Sequence, residues 1–363
     1  MDKKTNINKC AGFSMIEMLV AIVLSSIVAI AVVQVFGQNK NSNVAHEDIT
    51  RLQENGRYAI QLLTRELRSA DYWGCAETFD DVTNNVVGLA FADATTDGVG
   101  VGGDEGNAVA GADGFPSQAD TLQITGLRSA AAFPLASAHA PGDLSFSVNV
   151  NGLTGITPNE ILVASDCEKA VLFQVTNDVD AALALNGVNQ VATITHSDVP
   201  AAAFPTTFSN TQETLDDGDF AAVSTAIYRN FAVSRTFSIA NDDADNDPAT
   251  PAVPTLMLSI DGGAAQPLVP GIENMQVVYG EDIDNDSEAD RFVAADNIAD
   301  FDAVVSVRIS LLVRSPDANN EFASAYTMEG ITIDEDDVQA AANGRFHNRR
   351  VYSATIALRN RTT

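Results

Sequence analysis

Residues 13–36, FSMIEMLVAIVLSSIVAIAVVQVF, are a run of 24 in which Glu17 is the only charged side chain. No other stretch of the 363-residue chain limits its fold so tightly. At about 1.5 Å per residue, a helix of that length crosses the hydrocarbon of a bilayer with some tilt. Ahead of it, residues 1–12 set Lys3, Lys4 and Lys9 against a single Asp2. The positive-inside rule then puts those lysines in the cytoplasm and the rest of the chain on the other side. A cleaved secretory signal would have a shorter apolar region followed by a small-residue cleavage site. The sequence VVQVFGQNKN offers no such site, so a retained anchor is expected.

The whole chain carries a net charge of −29, although its first dozen residues are basic. Nucleic-acid binding needs clustered Lys and Arg to meet phosphate, so that class is excluded. A hydrophobic fraction of 45% suits a packed core. Residues 37–43, GQNKNSN, are poor helix formers that either continue the helix weakly or break it. From His46 helical periodicity is strong. Leu52, Gly56, Ala59, Ile60, Leu63, Leu67 and Ala70 fall on one stripe, and Gly74 offers a stop. Such a stripe needs a partner, and a sheet from the same chain is the simplest one. After residue 75, short β-like runs alternate with Ala-, Gly- and Asp-rich connections. The runs lie at 121–125, 144–150, 160–164, 170–176, 190–196, 255–260, 275–280, 303–315 and 349–360. Residues 92–120, 177–220 and 240–254 read otherwise as loops. The fold class expected is α+β: a long N-terminal helix, first membrane-spanning (13–36) and then amphipathic (37–73), packed on an antiparallel β-sheet with long loops (74–363).

Three cysteines are present, Cys10, Cys75 and Cys167. Cys10 falls on the cytoplasmic side, whereas the other two lie where oxidation is permitted. The odd count therefore resolves into one pair and one segregated thiol. A Cys75–Cys167 bridge would close a loop of roughly 90 residues, stabilising by about 4–5 kcal/mol through lost chain entropy. Two free buried cysteines are the alternative.

Several motifs carry chemistry on paper. In EDIDNDSEADRF, Asp282, Asp284, Asp286, Glu288 and Asp290 could supply oxygens to Ca²⁺. Ser287 stands where an EF-hand has its turn glycine, and Val293 where it has a bidentate glutamate, so this is not an EF-hand. A looser calcium loop and a solvated acidic turn both remain open. Asp243, Asp245 and Asp247 precede Pro248, which favours a plain loop there. GVGVGG (98–103) fits a dinucleotide fingerprint only by spacing: Asp104 and Glu105 follow it, and a flexible loop is expected. The histidines at 46, 139, 196 and 347 are scattered, with neither a zincin motif nor a nucleophile elbow, so no enzyme is expected. Arg345, Arg349, Arg350, Arg359 and Arg361 crowd the C-terminus. They would keep an edge strand from sticking or form a docking face for an acidic neighbour.

The basic leader, Gly12, then Phe13-Ser14-Met15-Ile16-Glu17 and an unbroken apolar helix resemble the class III signal of type IV pilins and pseudopilins. The resemblance implies that a prepilin peptidase cuts after Gly12 in the inner membrane and methylates the new N-terminus at Phe13. It also implies that Glu17 attracts the free amine of a neighbouring subunit. Physics agrees, because a carboxylate within a membrane span is costly and is expected to be functional and partnered. Met15 and Ala11 depart slightly from the usual pattern without changing that chemistry.

The resemblance continues through ENGRYAIQLLTRELRSADYWGC (54–75), VASDCEKAVLFQVT (163–176), GIENMQVVYGEDIDNDSEADRF (271–292), VVSVRISLLVRS (304–315) and RRVYSATIALRNR (349–361). These blocks look like PilW-type minor pilins, which are related to J-type minor pseudopilins of type II secretion. The implied role is assembly: a single-pass inner-membrane subunit with a periplasmic body that helps to prime the pilus near its tip. Its implied partners are major and other minor pilins, the peptidase and a PilY-type tip adhesin. The resemblance also places Cys75 and Cys167 in cysteine-bearing blocks, and it requires no cofactor, leaving calcium as the candidate. The rival readings are a type II secretion pseudopilin and a membrane-tethered periplasmic enzyme or ligand-binding protein.

Overall fold

A computed structural model describes residues 15–73, 82–87, 101–102, 119–127, 129–140, 142–186, 189–197, 209–210, 220–230, 234–242, 252–298, 303–333, 335, 340–341 and 343–359. The chain forms two units, residues 1–51 and 52–363.

One helix runs from Met15 to Leu67. It does not break at residues 37–43: Gly37 and the polar residues after it stay helical despite their weak propensity. It also stops six residues short of residue 73, the expected end of the amphipathic part. After Leu67 the backbone turns, with Ser69 N–H donating to the Glu66 carbonyl and Ala70 N–H to that of Leu67. Asp71 takes a left-handed φ of 57° and its N–H donates to the Thr125 carbonyl, so the chain leaves the helix to join a strand.

Within the second unit, the segment from Leu52 buries the stripe that periodicity marks. Leu52, Ala59, Leu63 and Leu67 pack with Met275, Val277, Tyr279, Val307, Ile309, Leu311 and Ile356 in the largest apolar cluster. At Gly56 the helix comes so close to Tyr352 that an added β-carbon would lie 2.4–2.8 Å from three ring carbons.

The partner of this stripe is a pair of antiparallel sheets. The C-terminal sheet runs Arg291–Val293, Ile272–Glu281, Val304–Asn320, Phe346–Ala357. The second runs Gln266–Pro270, Val253–Ile260, Ser234–Asp242, Leu122–Thr125, Val101–Gly102. Val101 and Gly102 therefore pair with Ile124 and Gln123, correcting the loop reading for that part of GVGVGG. Each apolar run marked as a strand overlaps an observed one.

A middle region holds two further sheets. One runs Val82–Asn84, Ala170–Gln174, Ile161–Ser165, Ala226–Asn230, Ser129–Pro134, with its first pair parallel. The other runs Ser145–Val150, Asn189–Thr195, Ala184–Asn186. In Ser145–Val150 burial alternates, with Phe146, Val148 and Val150 inward, as period two requires. Ile161–Ser165 and Ala170–Gln174 are buried throughout, because two apolar clusters cover them from opposite faces.

Candidate assembly site

From Met15 to Phe36 the described residues of the helix are exposed on every side, Val33 and Phe36 by about 70%. A helix apolar all round and left uncovered by the described residues calls for lipid or other helices. It is the one described helix long and apolar enough to cross a membrane. Its hydroxyls are satisfied within the helix, Ser25 Oγ donating to the Ala21 carbonyl at 2.7 Å and Ser26 Oγ to that of Val23 at 2.7 Å. Glu17 lies exposed in the first turn, where the helix dipole favours a negative charge. Gly12 and Phe13 lie outside the described residues.

The acidic loop joins Ile272–Glu281 to Arg291–Val293 in the C-terminal sheet. It is closed by Asp290 N–H donating to the Glu281 carbonyl at 2.8 Å. Asp282 is buried and accepts from the N–H groups of Asp286 (3.2 Å) and Ser287 (2.8 Å). Asp290 accepts from Ile283 N–H at 2.7 Å. Ser287 adopts φ 69°, making the turn that glycine usually supplies. Of the five predicted carboxylates, those of Asp282, Asp284 and Asp290 bring oxygens within 4.8 Å of one another. Asp286 and Glu288 stand outside that group, and Asp286 accepts instead from Glu288 N–H at 2.8 Å. Repulsion from Asp286, then Asp290, raises the Asp284 carboxyl above its ordinary range. The second acidic run, with Asp243, Asp245 and Asp247, lies outside the described residues.

Cys167 sits exposed at the tip of the Ile161–Gln174 hairpin with φ 76° and is disulfide-bonded. Cys75 and Cys10 lie outside the described residues.

The C-terminal arginines divide. Phe346–Ala357 is an edge strand of its sheet. Arg349 nevertheless turns inward, its side chain 2% exposed, and binds the equally buried Glu273 through both carboxylate oxygens. Arg314 reaches the same carboxylate at 3.4 Å. Arg345 donates to the Asn319 carbonyl at 2.9 Å. Arg350 is exposed and lies over the Tyr352 ring, 5.5 Å from its centroid. Arg359 is exposed, and Arg361 lies outside the described residues.

Residues with no local sequence signal also meet. Glu66, on the helix, and Arg235 pair at 3.3 Å although both are almost fully buried. His139 and His196 place their Nε2 atoms 3.1 Å apart inside a cage of Phe146, Phe173 and Phe220. Burial, reinforced by His139, lowers the His196 pKa to about 4.

Comparison with known families places both ends of the chain. Residues 7–33 match the prokaryotic N-terminal methylation motif, which takes in Gly12, Phe13 and Glu17. Residues 236–360 match type IV pilus-assembly protein W. Together the two matches support a PilW-type minor pilin of the type IV pilus. In this pilin the matched region contains the C-terminal sheet, the acidic loop and the Glu273–Arg349 pair. Residues 34–235 fall outside both matches. Among solved structures, a type IV-like pilin from Thermus thermophilus is similar, with 13% identity, covering 36% of this chain and 80% of its own, at a TM-score of 0.17. No curated protein matches.

Proposed function

We propose that this minor pilin takes part in initiating type IV pilus assembly near the filament tip. The observation that carries the reading is the N-terminal helix. It is apolar, uncovered by the described residues, and has one acid in its first turn inside a methylation motif. Prepilin peptidase cuts after Gly12, exposing an amine on Phe13. The chain sits in the inner membrane with its body in the periplasm, as the lysines before Gly12 favour. Glu17 then pairs with the N-terminal amine of an adjacent major or minor pilin, an attraction that low dielectric strengthens. A PilY-type adhesin is the proposed tip partner. In the periplasm, Cys75 is the partner of Cys167. The matched families are structural pilus components, and assembly rather than catalysis is the role proposed.

Mass spectrometry of the mature N-terminus, in cells with and without the peptidase, tests this directly. A chain starting at Phe13 only where the peptidase is present is expected. A chain starting at Met1 in both strains would sink the reading. Glu17→Ala is expected to leave cutting intact and to lower pilus number. Normal piliation by that variant would remove the proposed pairing.

The acidic loop supports a subsidiary proposal. The oxygens of Asp282, Asp284 and Asp290 converge enough to share a hard cation. Calorimetry with Ca²⁺ up to millimolar concentration is expected to show binding that Asp284→Asn weakens. No heat of binding would leave a solvated turn.

A further inference from the structure

The arginines of the second unit fall into two groups. Arg229, Arg235, Arg291, Arg308, Arg314 and Arg349 each pair with a glutamate of their own body. Arg57, Arg68, Arg350 and Arg359 have no such partner among the described residues, in a chain where acids outnumber Lys and Arg by 49 to 20, and of these Arg57 and Arg68 lie near the end of the long helix. Both point outward. Arg65 stands beside them with a side chain 66% exposed, and its contact at 3.3 Å is to Glu66, which already serves the buried Arg235.

Helical spacing puts these residues together. Arg57, Gln61, Arg65 and Arg68 follow one another at intervals of three or four, so they line the side opposite Leu52, Ala59 and Leu63. Tyr58, 55% exposed, flanks the row, and Glu54 is the one acid on it. The result is a basic ridge with an aromatic side chain, left bare by the rest of its own unit. Arginine and tyrosine are the residue types that most often anchor protein interfaces.

The same molecule carries an exposed surface of opposite charge. Ile283, Asp284, Asp286, Glu288 and Asp290 are exposed on the acidic loop, Ile283 by 60%. The loop thus offers acids for the arginines and an apolar side chain for Tyr58.

We propose that the outer face of residues 54–68 docks a second copy of this chain, which presents its acidic loop, residues 283–290, to Arg57, Arg65 and Arg68. The two surfaces differ, so the contact is head-to-tail and not a two-fold dimer. It is weak and salt-sensitive, as exposed ion pairs are. At physiological salt, repulsion from the high overall negative charge is largely screened beyond roughly 8 Å, so local complementarity decides the encounter. The inference rests on the assembly reading only in needing copies held side by side in a membrane.

The test uses the full chain in cells, as two co-expressed copies with different epitope tags. A photo-crosslinking amino acid replaces Tyr58 in one copy. A crosslink to the other tag is expected, mapping to residues 281–292 by mass spectrometry. It is expected to be lost in Arg57→Glu/Arg68→Glu. It returns when the second copy carries Asp284→Lys/Asp286→Lys, which keeps the test valid if a single variant is poorly made. Three results overturn the proposal: a crosslink only to other proteins or lipid, no crosslink while the N-terminus is processed normally, or a crosslink indifferent to the charge reversal. Loss of processing itself would instead count against the assembly reading.

Discussion

The strand Val304–Asn320 and the hairpin Ile161–Gln174 are both buried on two faces, but what covers them differs. One face of Val304–Asn320 meets the helix through Leu52, Ala59 and Leu63, and its ends are tied by charge, with Arg314 sharing Glu273 with Arg349. The Ile161–Gln174 hairpin lies between sheets of its own region and has an aromatic and histidine cage on one side. The first belongs to the part matched by the pilus-assembly family, and the second lies outside it. The C-terminal sheet with its buried Glu273–Arg349 pair is the matched element here, and the middle region is a separate apolar structure built beside it. The two regions should therefore fail separately.

Variants that break one region at a time are the sharpest way to test that separation. Glu273→Ala removes the carboxylate that neutralises the buried Arg349, an effect of about 3–5 kcal/mol. Urea denaturation of the body should show that loss as a lowered midpoint, and an unchanged midpoint would mean the triad contributes nothing. Phe146→Ala opens the histidine cage at a similar cost of about 3–5 kcal/mol. Hydrogen exchange should then speed up in residues 145–195 and stay slow in 304–315. Equal acceleration in both would join the two regions into one cooperative unit.

Acid provides a gentler probe. The folded His196 pKa of about 4 lies below its ordinary 6.5, so the unfolded state binds the extra proton. Its contribution to stability is complete above about pH 6.5 and falls as the pH drops from there towards 4, by roughly 3 kcal/mol. His196→Phe should flatten the stability profile across that window, measured by thermal melts at each pH. A profile of unchanged slope would assign the acid response elsewhere. The smallest effect is expected at Gly56→Ala. Crowding of Tyr352 costs about 1–3 kcal/mol, and the gain in helix propensity offsets up to about 1 of it. A melting temperature above that of the parent would show that the Tyr352 ring moves aside freely.

Sequence made the helix and its stripe legible because both depend on local periodicity. Leu52, Ala59, Leu63 and Leu67 could be assigned inward from spacing alone. The strands with β-branched runs were equally visible, Val304–Val313 above all. Ser129–Pro134, SAAAFP, was not, because alanine has little strand preference and only pairing with Ala226–Asn230 makes it a strand. The helix end was misplaced because a tertiary hydrogen bond from Asp71 to Thr125, not a local breaker, turns the chain. In the acidic loop, alternation suggested five equivalent ligands. The backbone spends Asp286 on a turn and gathers Asp282, Asp284 and Asp290. His139 and His196 are 57 residues apart, so no local pattern could have paired them. The same holds for Arg349: its position in a basic cluster hid a partner, Glu273, lying 76 residues away.

The uninterrupted helix has a mechanical consequence. Its 53 residues measure about 80 Å. Traction applied near Met15 would travel along the backbone hydrogen bonds with no slack segment to absorb it. The load would arrive at Leu63 and Leu67, inside the largest apolar cluster, where Glu66 is clamped to Arg235.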